Sequence, residues 1–303
     1  MRESEKLKLG HGRVLSYAIY GSPVPKTTVF YFHDFLSSGK EGKLWHTASS
    51  NLNIRLISPD RPGMGDSTYD PDRTLLTWPK DVLALADSLK IQRFYVIGLG
   101  SGGPYALACV KEIPRERLAG VAVVSSLYPV SSKAVHMPFF PKFLTTWIGP
   151  WVPGTLDIFI DMTMGNAARD SDPKVFDDWL LKEIESRPKV DQEAINDERN
   201  RWLFLQAARD GLKQGSQGLA WETRLIRTPW EFELEELEIG GEEGVSLTLW
   251  HGSQDTNCPS DMVLKAKEVM PESTLRMKDE AGHFSFAFSH QEEILGELAG
   301  LQS

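Results

Sequence analysis

Cysteine is nearly absent from this 303-residue chain. The two that occur, Cys109 and Cys258, stand far apart, which excludes a disulfide framework and suits reduced thiols in the cytoplasm. Patterns of the type CxxC, HExxH and GxxxxGKS/T are missing, so zinc and phosphate-loop nucleotide sites find no support. There is no 18-residue apolar run, and hence no transmembrane span to expect. The opening MRESEKLKLG has no apolar stretch of the kind a secretory signal needs. Basic clusters are lacking too: 33 Lys and Arg face 42 Asp and Glu, a net charge of −9, which disfavours binding to a phosphate backbone. The expectations are therefore a cytoplasmic protein with no cofactor, no metal and no nucleic-acid partner. Self-association as a homodimer stays open.

What is present reads as an α/β chain. It is 41% hydrophobic and 25% charged, ordinary values for a globular enzyme. HGRVLSYAIYGS (11–22) alternates apolar and polar residues and predicts one or two exposed antiparallel strands. TTVFYFHDF (27–35) is apolar on both faces and predicts a buried central strand. IRLISPD (54–60), FYVIGLG (94–100) and LAGVAVVSS (118–126) share that character. Helical spacing lies between them, as in WPKDVLALADSLK (78–90). Strand alternating with helix predicts a mostly parallel sheet flanked by helices. The alternation stops near Leu127 and resumes with VSLTLWHG (245–252) and STLRMKDE (273–280). A core of 1–126 and 245–303 with an inserted helical cap over 127–244 accounts for this. The interval holds Trp147, Trp151, Trp179, Trp202, Trp221 and Trp230, which either pack the cap or wall an apolar pocket. Trp147 and Trp151 are the candidates for the pocket.

One stretch carries the chemistry. In VIGLGSGGPYALA (96–108) a strand runs through glycines into a helix. A nucleophile elbow needs small residues two before and two after its apex. Gly98 and Gly102 fill those places, which puts the apex at Gly100. With DRPGMGDS (60–67), HGSQD (251–255) and AGHFS (281–285) in this order, the chain resembles the cap-bearing α/β-hydrolases over nearly its whole length. The resemblance implies the α/β-hydrolase fold, with Asp255 as the triad acid and His283 as the general base. It also implies that His33 holds the loop after the third strand and that Arg61 anchors its own loop through salt bridges.

Two positions depart from the family pattern. Gly100 stands where the family has its serine, so no acyl- or alkyl-enzyme can form at that residue. Asp34 stands where the family usually has glycine, in a loop whose backbone N–H groups help hold an oxyanion. An inward carboxylate there opposes such an anion, supplies a second acid/base group, and favours a charged imidazole. Three readings follow. In the first, the fold serves a lyase, isomerase or cyclase that works on an apolar small molecule, plausibly of secondary metabolism. Its catalytic groups are His283, Asp255 and Asp34, and Gly100, Ser101, Phe35, His33, Trp147 and Trp151 contact the substrate. In the second, Ser101 or a water activated by His283 still cleaves an ester, lactone or thioester. In the third, the protein binds a ligand without changing it.

Overall fold

The computed structural model describes residues 1–129, 153–241 and 244–301. Eight strands form one sheet: β1 (Arg2–Lys8), β2 (Val14–Gly21), β3 (Thr27–Phe32), β4 (Ile54–Pro59), β5 (Phe94–Leu99), β6 (Leu118–Val124), β7 (Ser246–Gly252) and β8 (Thr274–Lys278). Their spatial order is β1-β2-β4-β3-β5-β6-β7-β8. The β1–β2 and β2–β4 pairs are antiparallel, and every later pair is parallel.

Residue alternation explains why the sheet is covered on both faces. Phe30 and Phe32 of β3 join one hydrophobic cluster with Val96, Val121 and Trp78. Their neighbours Val29 and Tyr31 point the other way, into a second cluster with Ile97, Val124 and Trp250. Period-two alternation with both faces apolar is what a doubly covered parallel strand requires. The exposure expected for 11–22 is corrected here. β2 is buried along almost its full length, because β1 pairs along one side of it while β4 takes the other. β1 itself was hidden in the sequence by its charges; it is an edge strand with most side chains in solvent.

Between β6 and β7 the described residues form helices, among them Pro153–Ile160, Pro173–Ile184, Lys189–Asn196, Glu198–Gly211 and Gln217–Arg227. Phe176, Leu180, Leu205, Leu212 and Leu219 share a third cluster there with Met64 of the β4 loop. Cys109 and Cys258 are both free and buried.

The C-terminal ends of the parallel strands position the site, the usual place in an open α/β sheet. Asp34 follows β3, Arg61 follows β4, Gly100 follows β5, Asp255 follows β7 and His283 follows β8. At Gly100 the backbone takes φ +52° before the helix Gly102–Glu112 begins. The neighbouring glycines are required by contact. A Cβ on Gly98 would lie 2.5 Å from the Gly102 carbonyl oxygen, and one on Gly102 would strike the Phe32 carbonyl. Gly98→Val should therefore cost at least about 1–3 kcal/mol or prevent folding. Gly10→Ala, where an added Cβ meets nothing within 4 Å, should leave the unfolding free energy in urea within about 0.5 kcal/mol of the parent. Comparing the two denaturation curves checks the close approach at the elbow.

Candidate active site

The empty apex is filled from another loop. A Cβ built on Gly100 would fall inside the Asp34 carboxylate, so Asp34 occupies the space that a side chain at the apex would take. Its Oδ1 accepts a hydrogen bond from the Ser101 backbone N–H at 2.9 Å. Its Oδ2 lies 2.9 Å from His283 Nε2. The inward orientation of Asp34 thus turns the elbow's backbone donor toward a resident carboxylate. The Asp34 side chain retains 14% exposure, whereas His283 keeps 3%.

His283 is held between two acids. Its Nδ1 lies 2.8 Å from Asp255 Oδ2, and the other Asp255 oxygen accepts from the backbone N–H groups of Asn257 and Cys258, each at 2.8 Å. Burial by itself would strip the proton from the imidazole. The charges of Asp255 and Asp34 outweigh it and hold His283 well above the ordinary histidine range. Asp255 moves the other way: burial opposes its charge, but the imidazolium keeps its carboxyl below the usual carboxylate range. The two acids thus favour the charged form of the imidazole between them.

Three acids that the sequence did not single out hold this array. Asp191, fully buried on the helix Lys189–Asn196, accepts from three successive backbone N–H groups, those of His283, Phe284 and Ser285, at 2.8–3.0 Å. It thereby fixes the start of the helix His283–Ser289. Glu222, on Gln217–Arg227, forms an ion pair with Arg61 at 2.6 Å with neither side chain exposed. Glu41 Oε2 accepts the Asp34 backbone N–H at 2.8 Å. None of the three carries a local sequence cue; the burial of Glu222 among Leu219, Ala220 and Thr223 emerges only from the packing of its helix.

The Arg61–Glu222 pair also disposes of Ser101. The Ser101 hydroxyl donates to Glu222 Oε1 at 2.7 Å and accepts from Arg61 Nη2 at 2.9 Å, and the residue is 1% exposed. Its contribution to the site is its backbone N–H, while its hydroxyl is spent on the buried pair. Arg61 further donates to the His33 and Asp34 carbonyls, at 2.5 and 3.1 Å. His33 is wholly buried. Its Nε2 faces the Arg61 N–H at 3.4 Å and its Nδ1 the Asp34 carbonyl at 2.9 Å. Burial and the Arg61 charge hold it well below the ordinary histidine range. His33 and Arg61 thus brace the loop that presents Asp34.

Of the residues expected to touch a substrate, Phe35 is the one exposed aromatic of that loop, at 39%. Trp147 and Trp151 lie outside the described residues. Of the other tryptophans between β6 and β7, Trp179 stacks on Phe176, Trp202, 55% exposed, lies under Lys43, Trp221 lies under Arg224, and Trp230 joins the main core. The rings at His283 are instead Phe284, edge-on at 5.2 Å, and behind it Phe204. Asp255, Cys258 and His283 bring three metal-type donors within 4.8 Å of one another. They fit a cation poorly, since each imidazole nitrogen already meets a carboxylate and burial pushes the Cys258 thiol up to about 12.

Comparison with known proteins agrees with the fold. The model of the alpha/beta hydrolase family matches residues 27–297. Among solved structures, the esterase from Exiguobacterium antarcticum superposes with a TM-score of 0.69 at 16% identity, over 100% of both chains. The bromoperoxidase from Bacillus anthracis gives 0.68 at 18% identity, covering 99% of this chain and 100% of that one. An epoxide hydrolase from hot-environment metagenomes gives 0.65 at 18% identity, over 99% of both. No sequence among curated proteins matches.

The site makes two predictions. Asp34→Asn removes one of the two anions facing His283, so its imidazolium should lose its proton at a lower pH, read by nitrogen-15 shifts of the ring. The sign for stability follows: the folded value lies above the unfolded one, so this stabilisation is complete below about pH 6.5 and disappears as pH rises through the folded value. Glu222→Ala leaves the Arg61 guanidinium buried without its acid and should cost about 3–5 kcal/mol in urea unfolding.

Proposed function

Because the chain belongs to the alpha/beta hydrolase family, yet presents glycine at the elbow apex, we propose that it catalyses proton transfer in place of ester cleavage. The reading is a lyase, isomerase or cyclase for an apolar small molecule of neutral charge. The observation that supports it best is the Asp34 Oδ2–His283 Nε2 contact of 2.9 Å. A base and an acid stand side by side. Asp34 takes a proton from substrate carbon, and the imidazolium gives one to the oxygen or leaving group where negative charge develops. The proton then passes from Asp34 to His283, which restores the pair with no water consumed. Asp255 keeps the imidazole oriented and stabilises its charged form. With two carboxylates flanking one imidazolium, an anionic substrate is repelled. We further propose that 127–244 forms a cap over a core of 1–126 and 245–303, with Phe35, Phe284 and Phe204 as apolar surface beside the acid and base.

A second reading is favoured by the Ser101 N–H on Asp34 Oδ1. Asp34 would open a strained ether by attacking carbon as the C–O bond breaks, with His283 protonating the leaving oxygen. The imidazole, now neutral, would accept the proton of a water that attacks the resulting ester at Cγ, and the diol would leave.

Isotopes separate the two. The protein is incubated with a panel of neutral apolar metabolites in deuterium oxide and, separately, in oxygen-18 water. The proposed chemistry gives isomers that take up deuterium from the solvent, or products lighter by an eliminated group whose deuterium departs with that group, and in neither case oxygen-18; Asp34→Asn and His283→Gln should each lower turnover at least ~100-fold. Products heavier by one water and labelled with oxygen-18 would establish the second reading instead. Intact-mass analysis with a fluorophosphonate adds a check. The parent protein should stay unlabelled, while the double variant Asp34→Gly, Gly100→Ser, which clears the apex and supplies the hydroxyl, should gain one label.

A further inference from the structure

Behind Asp34 stands a second acid that the proton-transfer chemistry does not itself use. Glu41 lies on the 3-10 helix Gly39–Trp45 and is 7% exposed. Its Oε2 receives the Asp34 N–H at 2.8 Å, so a buried carboxylate is fastened to the backbone of the residue that faces His283. We propose that Glu41 is the positioning residue for Asp34: it holds the loop so that the Asp34 carboxylate stands over Gly100, and its charge keeps a proton on the Asp34–His283 pair.

The hydrogen bonds support the first half of this, and the charge interaction between Glu41 and Asp34 the second. Asp34 follows directly on β3 and His33, and its side chain must turn inward to reach the Ser101 N–H and His283 Nε2. The Asp34 carbonyl is held by Arg61 and His33, and its N–H by Glu41. Both backbone polar groups of the residue are thus anchored, which fixes the Cα–Cβ direction, and the Ser101 N–H and His283 Nε2 then hold the carboxylate. The neighbouring cations are already engaged elsewhere. Lys40 pairs with Asp210 of the helix Glu198–Gly211 at 2.7 Å, Lys43 pairs with Glu3 of β1 at 2.9 Å, and Arg61 pairs with Glu222. Ser37 and Tyr31 face Glu41 as neutral groups, and Asp34 faces it as an anion. From the end of β4, Asp60 holds the Gly39 N–H at 2.6 Å. Burial, and after it the Asp34 charge, push the Glu41 carboxyl up to about 7. Glu41 therefore changes charge in the neutral range, beside an acid/base pair that responds to charge.

The inference concerns the array itself and holds whichever reaction the array performs. Its test reads His283 and the Asp34 amide, not a product. Protein labelled with nitrogen-15 is titrated by NMR as the parent, as Glu41→Gln and as Glu41→Ala. In the parent, the His283 ring shifts should show a minor inflection near pH 7 before the imidazolium deprotonates at higher pH. Glu41→Gln retains an oxygen for the Asp34 N–H but no charge. The Asp34 amide should keep its position, the inflection near 7 should vanish, and the His283 midpoint should fall by about one pH unit. Glu41→Ala should in addition shift the Asp34 amide to a solvent-exchanging value. An unchanged His283 midpoint with the inflection retained in Glu41→Gln would overturn the proposal, and that variant decides the matter even if Glu41→Ala fails to fold. Failure of the proton-transfer reading, by contrast, would appear only in the isotope content of products.

Discussion

The contact between the Asp34 carboxylate and the empty apex of Gly100 determines the rest of the site. Each residue requires the other. A side chain on Gly100 would occupy the carboxylate's place, and without that carboxylate the Ser101 N–H and His283 Nε2 would both lose a buried partner. Placing a carboxylate there costs desolvation, which is offset because a backbone donor and an imidazolium meet its two oxygens. The backbone at Gly100, at φ +52°, is also one that glycine adopts without the penalty a side chain incurs. Apex and intruding acid form one structural unit contributed by the loops after β5 and β3.

That unit is rigid because its supports are buried charges whose alternatives are worse. Arg61 links five groups: Glu222, the Ser101 hydroxyl, the His33 and Asp34 carbonyls, and the face of Tyr105 at 5.0 Å. With neither Arg61 nor Glu222 exposed, moving one leaves an unpaired charge in the interior. The same holds for Asp191, which neutralises three amide donors at the start of the histidine helix. Glu222 and Asp191 both come from the helices between β6 and β7. The helical insertion therefore helps to set the positions of Arg61 and His283.

How much of this was legible in the sequence divides along a physical line. Residues whose type is demanded by backbone geometry could be read directly: Gly98 and Gly102 located the apex, and the order of Gly100, Asp255 and His283 placed the loops. The buried strands were equally plain, since β3 and β5 are apolar on both faces. Asp34 stood out as an acid where the family has glycine, although its direction was settled only by the Ser101 and His283 contacts. Glu41, Asp191 and Glu222 were not legible. Each is an ordinary acid on a helix, and its burial arises from which distant segment packs over it, which no local period encodes. β1 was missed for a related reason: with one edge and much of its surface in water, it carries few of the β-branched residues that mark a strand.

The charge state of His283 is where the geometry bears most directly on chemistry. In a serine hydrolase the imidazole begins neutral and becomes charged only as the nucleophile gives up its proton, and the buried acid stabilises that transient cation. Here the charges of Asp255 and Asp34 together hold the imidazole well above the ordinary histidine range. An interaction that is present before the reaction cannot also be gained in the transition state, so the stabilisation by Asp255 contributes nothing to a step that needs imidazole as the initial base. In the proposed reaction the step instead consumes the imidazolium's proton. Asp34, partly exposed and with its Oδ2 2.9 Å from His283 Nε2, is the group that accepts one in return in the proposed reaction. In the proposed reaction the same fold, with its acid and histidine in place, exchanges protons where it would otherwise make a nucleophile, because one carboxylate lies where a side chain is absent.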